Sequence, residues 1–249
     1  MSAALPVLYS NPQALSPSSH GDARLVAKAG FDFAARANAV PIAAAEMPSA
    51  MRSYPIVFVG EDAMPVVLTG VRNDENAFVD AEGRWAEPHY VPAYIRRYPF
   101  ILAGSATDER LTLCIEMDGS RVVAHAADVP DGDEGVALFD GEEPSEATKK
   151  ALEFCERYQA MHAATRGVVK LLQEKNLLVP RSSTIALQGN EQRNLTDFLT
   201  VDEAKLNGLA DEEYLELRRA GALPVIFAHL ASMNTWQALA WQARQHRAA

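Results

Sequence analysis

The sequence predicts an α+β fold in which a mostly antiparallel sheet from the N-terminal half packs against a long central helix and C-terminal helices. Two runs rich in β-branched residues, at 54–59 and 64–71, lie on either side of a short turn. Residues 111–117 alternate apolar and polar side chains, and beyond Pro144 the apolar residues recur at three- and four-residue steps. This change of period marks the passage from strands to helices.

The strand-rich segment is expected to begin with a hairpin, because Gly60 lies in the turn between its first two β-branched runs. Further short strands are predicted at 77–80, 100–103 and 111–117. In the last of these, the alternation places Leu111, Leu113, Ile115 and Met117 on one face of the sheet. Cys114 then falls on the other, less apolar face.

A helix of about 30 residues is predicted to follow the strands and to end near Asn176. Pro144 suits its first turn, and the glutamates beside this proline lie where the helix dipole is positive. The apolar stripe runs from Ala151 to Leu172 and includes Cys155. Because the spacing of three and four residues persists from Ala151 to Leu172, this helix is the longest regular element that the sequence predicts.

The rest of the chain is expected to contain short strands and helices. Thr200 and Glu203 form a capping-box pattern, and Gly221 is suited to end a helix. The predicted elements are a strand at 183–187, a helix at 199–209, a helix at 211–220, a buried strand at 223–230 and a final helix that starts at Asn234 or Thr235. No linker divides the chain, so we predict one domain over residues 1–249, with an irregular arm over residues 1–35.

The net charge of −10 disfavours general binding to nucleic acid or to anionic membranes. Negative charge is concentrated between residues 122 and 148, where no lysine or arginine occurs. A calcium loop would need the EF-hand spacing, which Asp131, Asp133 and Gly135 do not have. We therefore predict a solvated acidic loop.

We expect a cytoplasmic location. Residues 1–12 lack the basic start and the apolar core of a signal peptide. No run approaches the ~20 apolar residues that a membrane-spanning helix needs. Cys114 and Cys155 lie far apart, which argues against a zinc ribbon or a disulfide scaffold and fits a reducing compartment.

Charged and aromatic residues are unusually concentrated between residues 72 and 99. The adjacent Arg96 and Arg97 stand out in so acidic a chain. Guanidinium groups bind carboxylates or phosphates in a bidentate manner, and aromatic rings provide flat apolar walls. We predict a site for an anionic group, such as a peptide C-terminus or an acidic side chain; the alternative is an internal network of arginines and carboxylates. The candidate residues are Arg84, Trp85, His89, Tyr90, Tyr94, Arg96, Arg97, Glu75, Asp80 and His229.

His229 is a candidate although it lies outside this segment, in the apolar run 223–230. A histidine there is a ligand, a base or a satisfied core residue. An enzyme would use His89, His229, Glu75 and Asp80 as acids and bases. The sequence has no G-x-S-x-G elbow, no glycine-rich phosphate loop and no paired metal ligands, so it predicts no metal and no cofactor.

Several segments resemble the bacterial SapC family. In the family's order they are YPIVF (54–58), ENAFVDAEGRW (75–85), YVPAYIRRYPF (90–100), LCIEMD (113–118), LFDGE (138–142), VDEAKLNGL (201–209) and AHLASMNTW (228–236). They span about residues 38–240. The RW pair at the end of the second segment and the whole third segment are the most specific.

The resemblance implies a protein connected with bacterial surface layers or peptide transport, for which the family offers no assigned catalytic residues. The family's gene neighbourhoods imply a link to nutrient uptake or peptide handling. We therefore expect a non-catalytic intracellular binding or accessory protein that recognises a peptide or protein partner. Two alternatives stay open: an enzyme that acts on a peptide or an amino-acid derivative, and a structural protein of the surface layer or envelope.

Overall fold

The architecture is given by a computed structural model, which describes residues 5–104, 111–187 and 191–246. Its strands are β1 (Pro12–Ala14), β2 (Arg24–Leu25), β3 (Ala39–Pro41), β4 (Ile56–Val59), β5 (Met64–Leu68), β6 (Phe100–Gly104), β7 (Leu111–Glu116), β8 (Val122–Val123), β9 (Val136–Ala137), β10 (Phe139–Asp140), β11 (Glu143–Pro144), β12 (Leu178–Ala186) and β13 (Gln192–Val201). Its α-helices are α1 (Pro17–His20), α2 (Met47–Ala50), α3 (Ala93–Arg96), α4 (Glu146–Glu174), α5 (Glu203–Asn207), α6 (Asp211–Arg219), α7 (Ala222–Ser232) and α8 (Trp236–Gln245). The predicted α+β class is confirmed.

The largest sheet has the strand order β12-β13-β4-β5-β3, and its neighbouring strands are antiparallel. The predicted hairpin is confirmed as β4 and β5, in which Val57 lies opposite Val66. The long hairpin of β12 and β13 extends this sheet with strands from the C-terminal half. A second antiparallel sheet has the order β1-β7-β6.

The predicted long helix is confirmed as α4, although it begins two residues after Pro144, which was predicted to lie in its first turn. Pro144 ends β11, and the Ser145 side chain caps α4 by accepting a hydrogen bond from the amide of Thr148. Cys155 and Leu172 lie on its buried stripe, as predicted. The helix supplies one wall of the region that holds the candidate site.

Two predicted elements are wrong, and a third, the helix predicted at 199–209, starts later than predicted, at Glu203. Residues 77–80 form no strand, and the only pairing described there is an isolated bridge between Val79 and Trp85. The run 223–230 is part of helix α7, because a short run of apolar residues fits a buried helix as well as a buried strand. Thr200 belongs to β13, and Asp202 caps the following short helix through the amides of Ala204 and Lys205.

The N-terminal arm is more regular than predicted. In its described part, β1 pairs with β7 and β2 lies between β8 and β9. The buried carboxylate of Glu116 accepts hydrogen bonds from the amides of Ser10 (2.6 Å) and Asn11 (2.9 Å). The same strand also departs from the predicted alternation, because Cys114, Ile115 and Glu116 are all buried. The arm therefore adds a strand to the sheet beside β7, with Ala14 opposite Cys114.

The acidic segment between residues 122 and 148 holds the arm in place. Asp133 accepts hydrogen bonds from the amides of Ala27 (3.1 Å), Lys28 (2.7 Å) and Gly135 (2.9 Å). These bonds lower the pKa of the Asp133 carboxyl, and the bond from Gly135 contributes most. The carboxylate therefore closes a loop of its own chain.

Gly70 follows β5 at a point where the backbone passes very close to itself. A Cβ at this position would lie 1.8 Å from the carbonyl oxygen of Glu75, a main-chain atom that cannot move alone. We expect Gly70→Ala to lower the free energy of unfolding by about 2 kcal/mol, measured by urea denaturation. The control is Gly167→Ala in α4, where a Cβ would meet nothing within 4 Å and the helix gains about 0.5–1 kcal/mol. Equal midpoints for the two variants would contradict the expectation.

Candidate functional site

The segment that carries the arginine pair is held by one buried carboxylate. Glu46 ends a 3₁₀ turn just before α2, and its side chain accepts hydrogen bonds from the Ala93 amide (2.6 Å), the Tyr90 hydroxyl (2.9 Å) and the Ala43 amide (3.0 Å). The first residue of α3 is thereby fixed to the start of α2. Tyr94 and Ile95 of this one-turn helix are buried in the main apolar core.

Arg96 lies at the end of α3 with 44% of its side chain exposed. Its Nε donates to the Val91 carbonyl (3.0 Å), and its Nη2 donates to the Tyr90 hydroxyl (3.0 Å). The same Nη2 lies 3.9 Å from the Glu46 carboxylate. The guanidinium also faces the Phe154 ring of α4, at 5.4 Å from its centroid. The side chain is thus anchored by its own chain on one edge and keeps an exposed part.

Arg97 has a different environment, inside a cage of tyrosine rings. Its guanidinium carbon lies 4.3 Å from the ring centroid of Tyr94, 4.5 Å from that of Tyr158 and 5.5 Å from that of Tyr9. Its Nε is buried without a hydrogen-bond partner, and no carboxylate of the described residues lies within 4.0 Å of it. Burial raises the pKa of Tyr94, and the charge of Arg97 opposes that rise. The charge is therefore stabilised mainly by aromatic faces.

A cavity of about 300 Å³ lies beside the arginine pair, between residues 25–27, residues 96–100 and one face of α4. Among the described residues that line it, four are basic and none is acidic: Arg96, Arg97, Arg121 and Lys150. We call it the cationic cavity. Lys150 is exposed on α4, and the ion pairs of the described chain do not include it.

Arg121, which directly precedes β8, is the third arginine that lines this cavity. Its Nε donates to the Gly30 carbonyl (3.0 Å), and its guanidinium carbon lies 5.3 Å from the ring centroids of both Phe31 and Phe33. Burial lowers the pKa of Arg121, and the nearby charge of Asp32 opposes this effect. Arginine stays charged in proteins in spite of such shifts, so Arg121 adds a positive charge to the cavity wall.

A second, larger cavity of about 850 Å³ is lined by Trp85, His89, Arg84 and Asp80, and we call it the Trp85 cavity. Both oxygens of Asp80 are engaged: Oδ1 accepts from the amides of Glu82 and Arg84, and Oδ2 accepts from Nε of Arg84 at 2.8 Å. The backbone bond from Arg84 is the main reason that the pKa of Asp80 is lowered. This pair closes an exposed turn.

Trp85 and His89 are the two candidate residues with rings at the Trp85 cavity, where Phe31 also lies. Trp85 is buried and donates from Nε1 to the Tyr54 hydroxyl at 3.0 Å. The His89 ring lies against Phe78, with centroids 4.9 Å apart, and burial lowers the pKa of His89. The imidazole is therefore neutral near pH 7, so it is able to donate or accept a hydrogen bond at the cavity wall.

Four candidate residues line neither cavity: Tyr90 and Tyr94, which contact the arginine pair, and Glu75 and His229, which lie elsewhere. Glu75 pairs with Arg72 at 2.8 Å, and Arg72 also pairs with Glu191 at 3.0 Å, which holds the pKa of Glu191 at about 2. His229 is fully buried in α7. Its Nε2 accepts from the Val201 amide (3.0 Å), and its Nδ1 lies 2.8 Å from the Ile56 carbonyl. The structure thus brings Arg96 and Arg97 to one cavity, and Arg84, Trp85, His89 and Asp80 to the other.

Sequence reasoning missed the residues that complete the cationic cavity. Arg121 follows β7 and Lys150 lies on α4, far from the arginine pair along the chain. One signal was present: Arg121 and Lys149 bound the stretch 122–148 that has no lysine or arginine, and Lys150 follows directly. Tyr90 and Tyr94 were predicted, and each contacts one of the two arginines. The Tyr90 hydroxyl accepts a hydrogen bond from Arg96, and the Tyr94 ring stacks on the guanidinium of Arg97.

Fold and site together define an α+β protein with a small, positively lined cavity beside a one-turn helix. In the described part of the chain, no cluster of three or more His, Cys, Asp or Glu residues is arranged to hold a metal ion. Nor does any helix of that part combine the length and the apolarity that crossing a membrane requires.

The sequence model of the SapC family matches residues 15–239, which is most of the chain. The protein belongs to the SapC family, as the resemblance predicted. The matched range includes every residue of both cavities. No curated protein and no solved structure matches the chain.

Proposed function

We propose that this SapC-family chain is a non-catalytic cytoplasmic binding or accessory protein, which recognises a peptide or protein partner linked to nutrient uptake or peptide handling. The partner presents an anionic group to the cationic cavity. One observation carries the proposal: four basic residues line one cavity of a chain whose net charge is −10. The link to peptides comes from the SapC family, whose description connects it with peptide transport.

The electrostatics of the cavity favour an anionic partner. Like charges placed together repel one another unless a counter-charge joins them. Arg97, Arg121 and Lys150 have no carboxylate of the described residues within 4.0 Å, and the Glu46 carboxylate that lies near Arg96 is already shared with three other donors. An incoming anion relieves this repulsion, and the acidic remainder of the surface turns away polyanions such as nucleic acid.

Charge reversal at Lys150 tests the proposal with little risk to the fold, because this side chain is exposed on a long helix. We expect Lys150→Glu to weaken capture of the partner from native lysate about tenfold, because an attractive charge becomes a repulsive one at the cavity wall. Quantitative pull-down with mass spectrometry of proteins and peptides measures this.

The matched control is Lys170→Glu on the same helix. It changes the net charge equally, but lies about 30 Å along the helix from Lys150, which is well beyond the screening length. Its exposed ion pair with Glu174, at 3.7 Å, contributes little to stability. Equal capture by the wild type, Lys150→Glu and Lys170→Glu would overturn the proposal.

One observation favours the enzyme alternative. Asp80, Arg84 and His89 line the Trp85 cavity together, which brings an acid, a cation and a neutral imidazole to one concave surface. Both Asp80 oxygens accept hydrogen bonds from their own turn, and Glu75 and His229 lie elsewhere. Because only His89 is left as a base, we prefer the binding function.

A further inference from the structure

We infer that the cationic cavity takes the C-terminal residue of a peptide, with its carboxylate on the basic side chains and an apolar last side chain against the opposite wall. This inference rests on the proposed function and names the ligand class of the same site. Three features of the cavity carry it: its size, its apolar wall and the state of its main-chain amides.

The size of the cavity suits one residue of a ligand. Its volume of about 300 Å³ lies at the lower end of the range for sites that bury small molecules, roughly 300–1,000 Å³. Its walls come from residues 25–27, residues 96–100 and residues 150–154 of α4, together with Arg121 and Val136 from two further segments. A cavity of this form accommodates a chain end or a single side chain.

The wall of the cavity is as apolar as it is basic. Leu25, Phe100, Val136, Ala151 and Phe154 contribute hydrocarbon surface beside the four basic residues. Val136 lies at this wall with 37% of its surface exposed. A bare inorganic anion would leave this apolar surface in contact with water. A C-terminal residue with an apolar side chain covers the surface and also supplies the carboxylate.

The main chain around the cavity favours a carboxylate over a phosphate. Phosphate sites are commonly built from free backbone amides at helix starts or in glycine-rich loops. Here the lining amides already donate within the chain: Val26 to Arg121, Ala27 to Asp133, Arg97 to Ala93 and Phe100 to Arg97. The anion must therefore be bound by side chains, through the forked N–H groups of arginine, which match a planar carboxylate, and through the point charge of lysine.

Four probes test the inference on the full chain: an acetylated tripeptide ending in leucine with a free carboxylate, the same peptide as its amide, the same peptide ending in glycine, and inorganic phosphate. Isothermal titration calorimetry gives each Kd. We expect the leucine acid to bind in the range of about 1 mM or tighter. Its amide and the glycine peptide should each bind at least about tenfold more weakly.

The variants link this binding to the cavity. Lys150→Glu should weaken binding of the leucine acid about tenfold, and Lys170→Glu should leave it unchanged. Equal affinity of acid and amide, tighter binding of phosphate, or no saturable binding of the acid would each overturn the inference. If partner capture from lysate still depends on Lys150 in that case, the proposed function stands with an internal acidic side chain as the recognised group; if capture is also unchanged, both fail.

Discussion

Replacing Glu46 by alanine is expected to lower the free energy of unfolding by about 4 kcal/mol and to release the segment that carries Arg96. The buried Glu46 carboxylate accepts from two amides and one hydroxyl, and it lies 3.9 Å from Nη2 of Arg96. Alanine leaves these donors without an acceptor and opens a void. Each buried donor left without an acceptor costs about 1–3 kcal/mol, and the void adds to this loss. Urea denaturation measures the change.

Glu46→Gln separates the hydrogen-bond network from the space that the side chain fills. Glutamine keeps the volume and one acceptor oxygen, but loses the negative charge beside Arg96, so we expect a smaller loss of about 2 kcal/mol. Hydrogen exchange adds a local readout, because the Ala93 amide (2.6 Å from Glu46 Oε1) should lose protection first in the alanine variant. Alanine and glutamine variants that both match the wild type would show that Glu46 does not anchor α3.

Local patterns made about half of this fold predictable. The hairpin β4–β5 and the helices α4, α6 and α8 follow from β-branched runs, apolar spacing and capping residues within each segment. The hairpin β12–β13 was mostly missed, because many of its side chains face solvent and the polar residues hide the strand pattern. Pro180 in β12 is consistent with its place at the edge of the sheet. Helix α7 differs from the predicted strand because its own residues are apolar on nearly every face, so its sequence shows no helical period.

The candidate site was predictable only where it is local in sequence. Residues 84–97 stand out because arginines and aromatic rings are close neighbours along the chain. The pair Arg96–Arg97 was expected to act as a unit, but successive residues on a helix point about 100° apart, since it has about 3.6 residues per turn. Arg96 therefore reaches Tyr90 and Phe154, and Arg97 enters the tyrosine cage. Glu46, Arg121 and Lys150 come from distant elements, so no spacing rule connects them to the pair.

His229 is buried in the protein interior, where both of its ring nitrogens are bonded to backbone groups. Its Nε2 accepts a hydrogen bond from the Val201 amide, so this nitrogen carries no proton; the Ile56 carbonyl fixes the proton on Nδ1. Burial is the main cause that lowers the pKa of His229 to about 4, and the bond to Ile56 opposes it. Protonation would also make Nε2 a hydrogen-bond donor. It would then face the Val201 amide, which is a donor too, and the hydrogen bond between them would be lost.

We expect the stability supplied by His229 to be present above pH 6.5 and to be lost as the pH falls towards 4. The unfolded chain binds this proton with a pKa of about 6.5, whereas the folded chain binds it only near 4, so acid favours unfolding throughout that interval. A difference of this size corresponds to about 3 kcal/mol. The measurement is the free energy of unfolding in urea at several pH values between 4 and 7.

The comparison that isolates this residue is His229→Gln, which removes the titrating group and keeps a side chain able to donate and accept. The variant should be less stable at pH 7, yet its stability should fall by about 3 kcal/mol less than that of the wild type between pH 7 and pH 4. All other histidines and carboxylates are common to both proteins, so their titration cancels in the difference. Parallel pH profiles for the two proteins would mean that His229 is protonated in the folded state as readily as in the unfolded chain, which its full burial and its two backbone partners argue against.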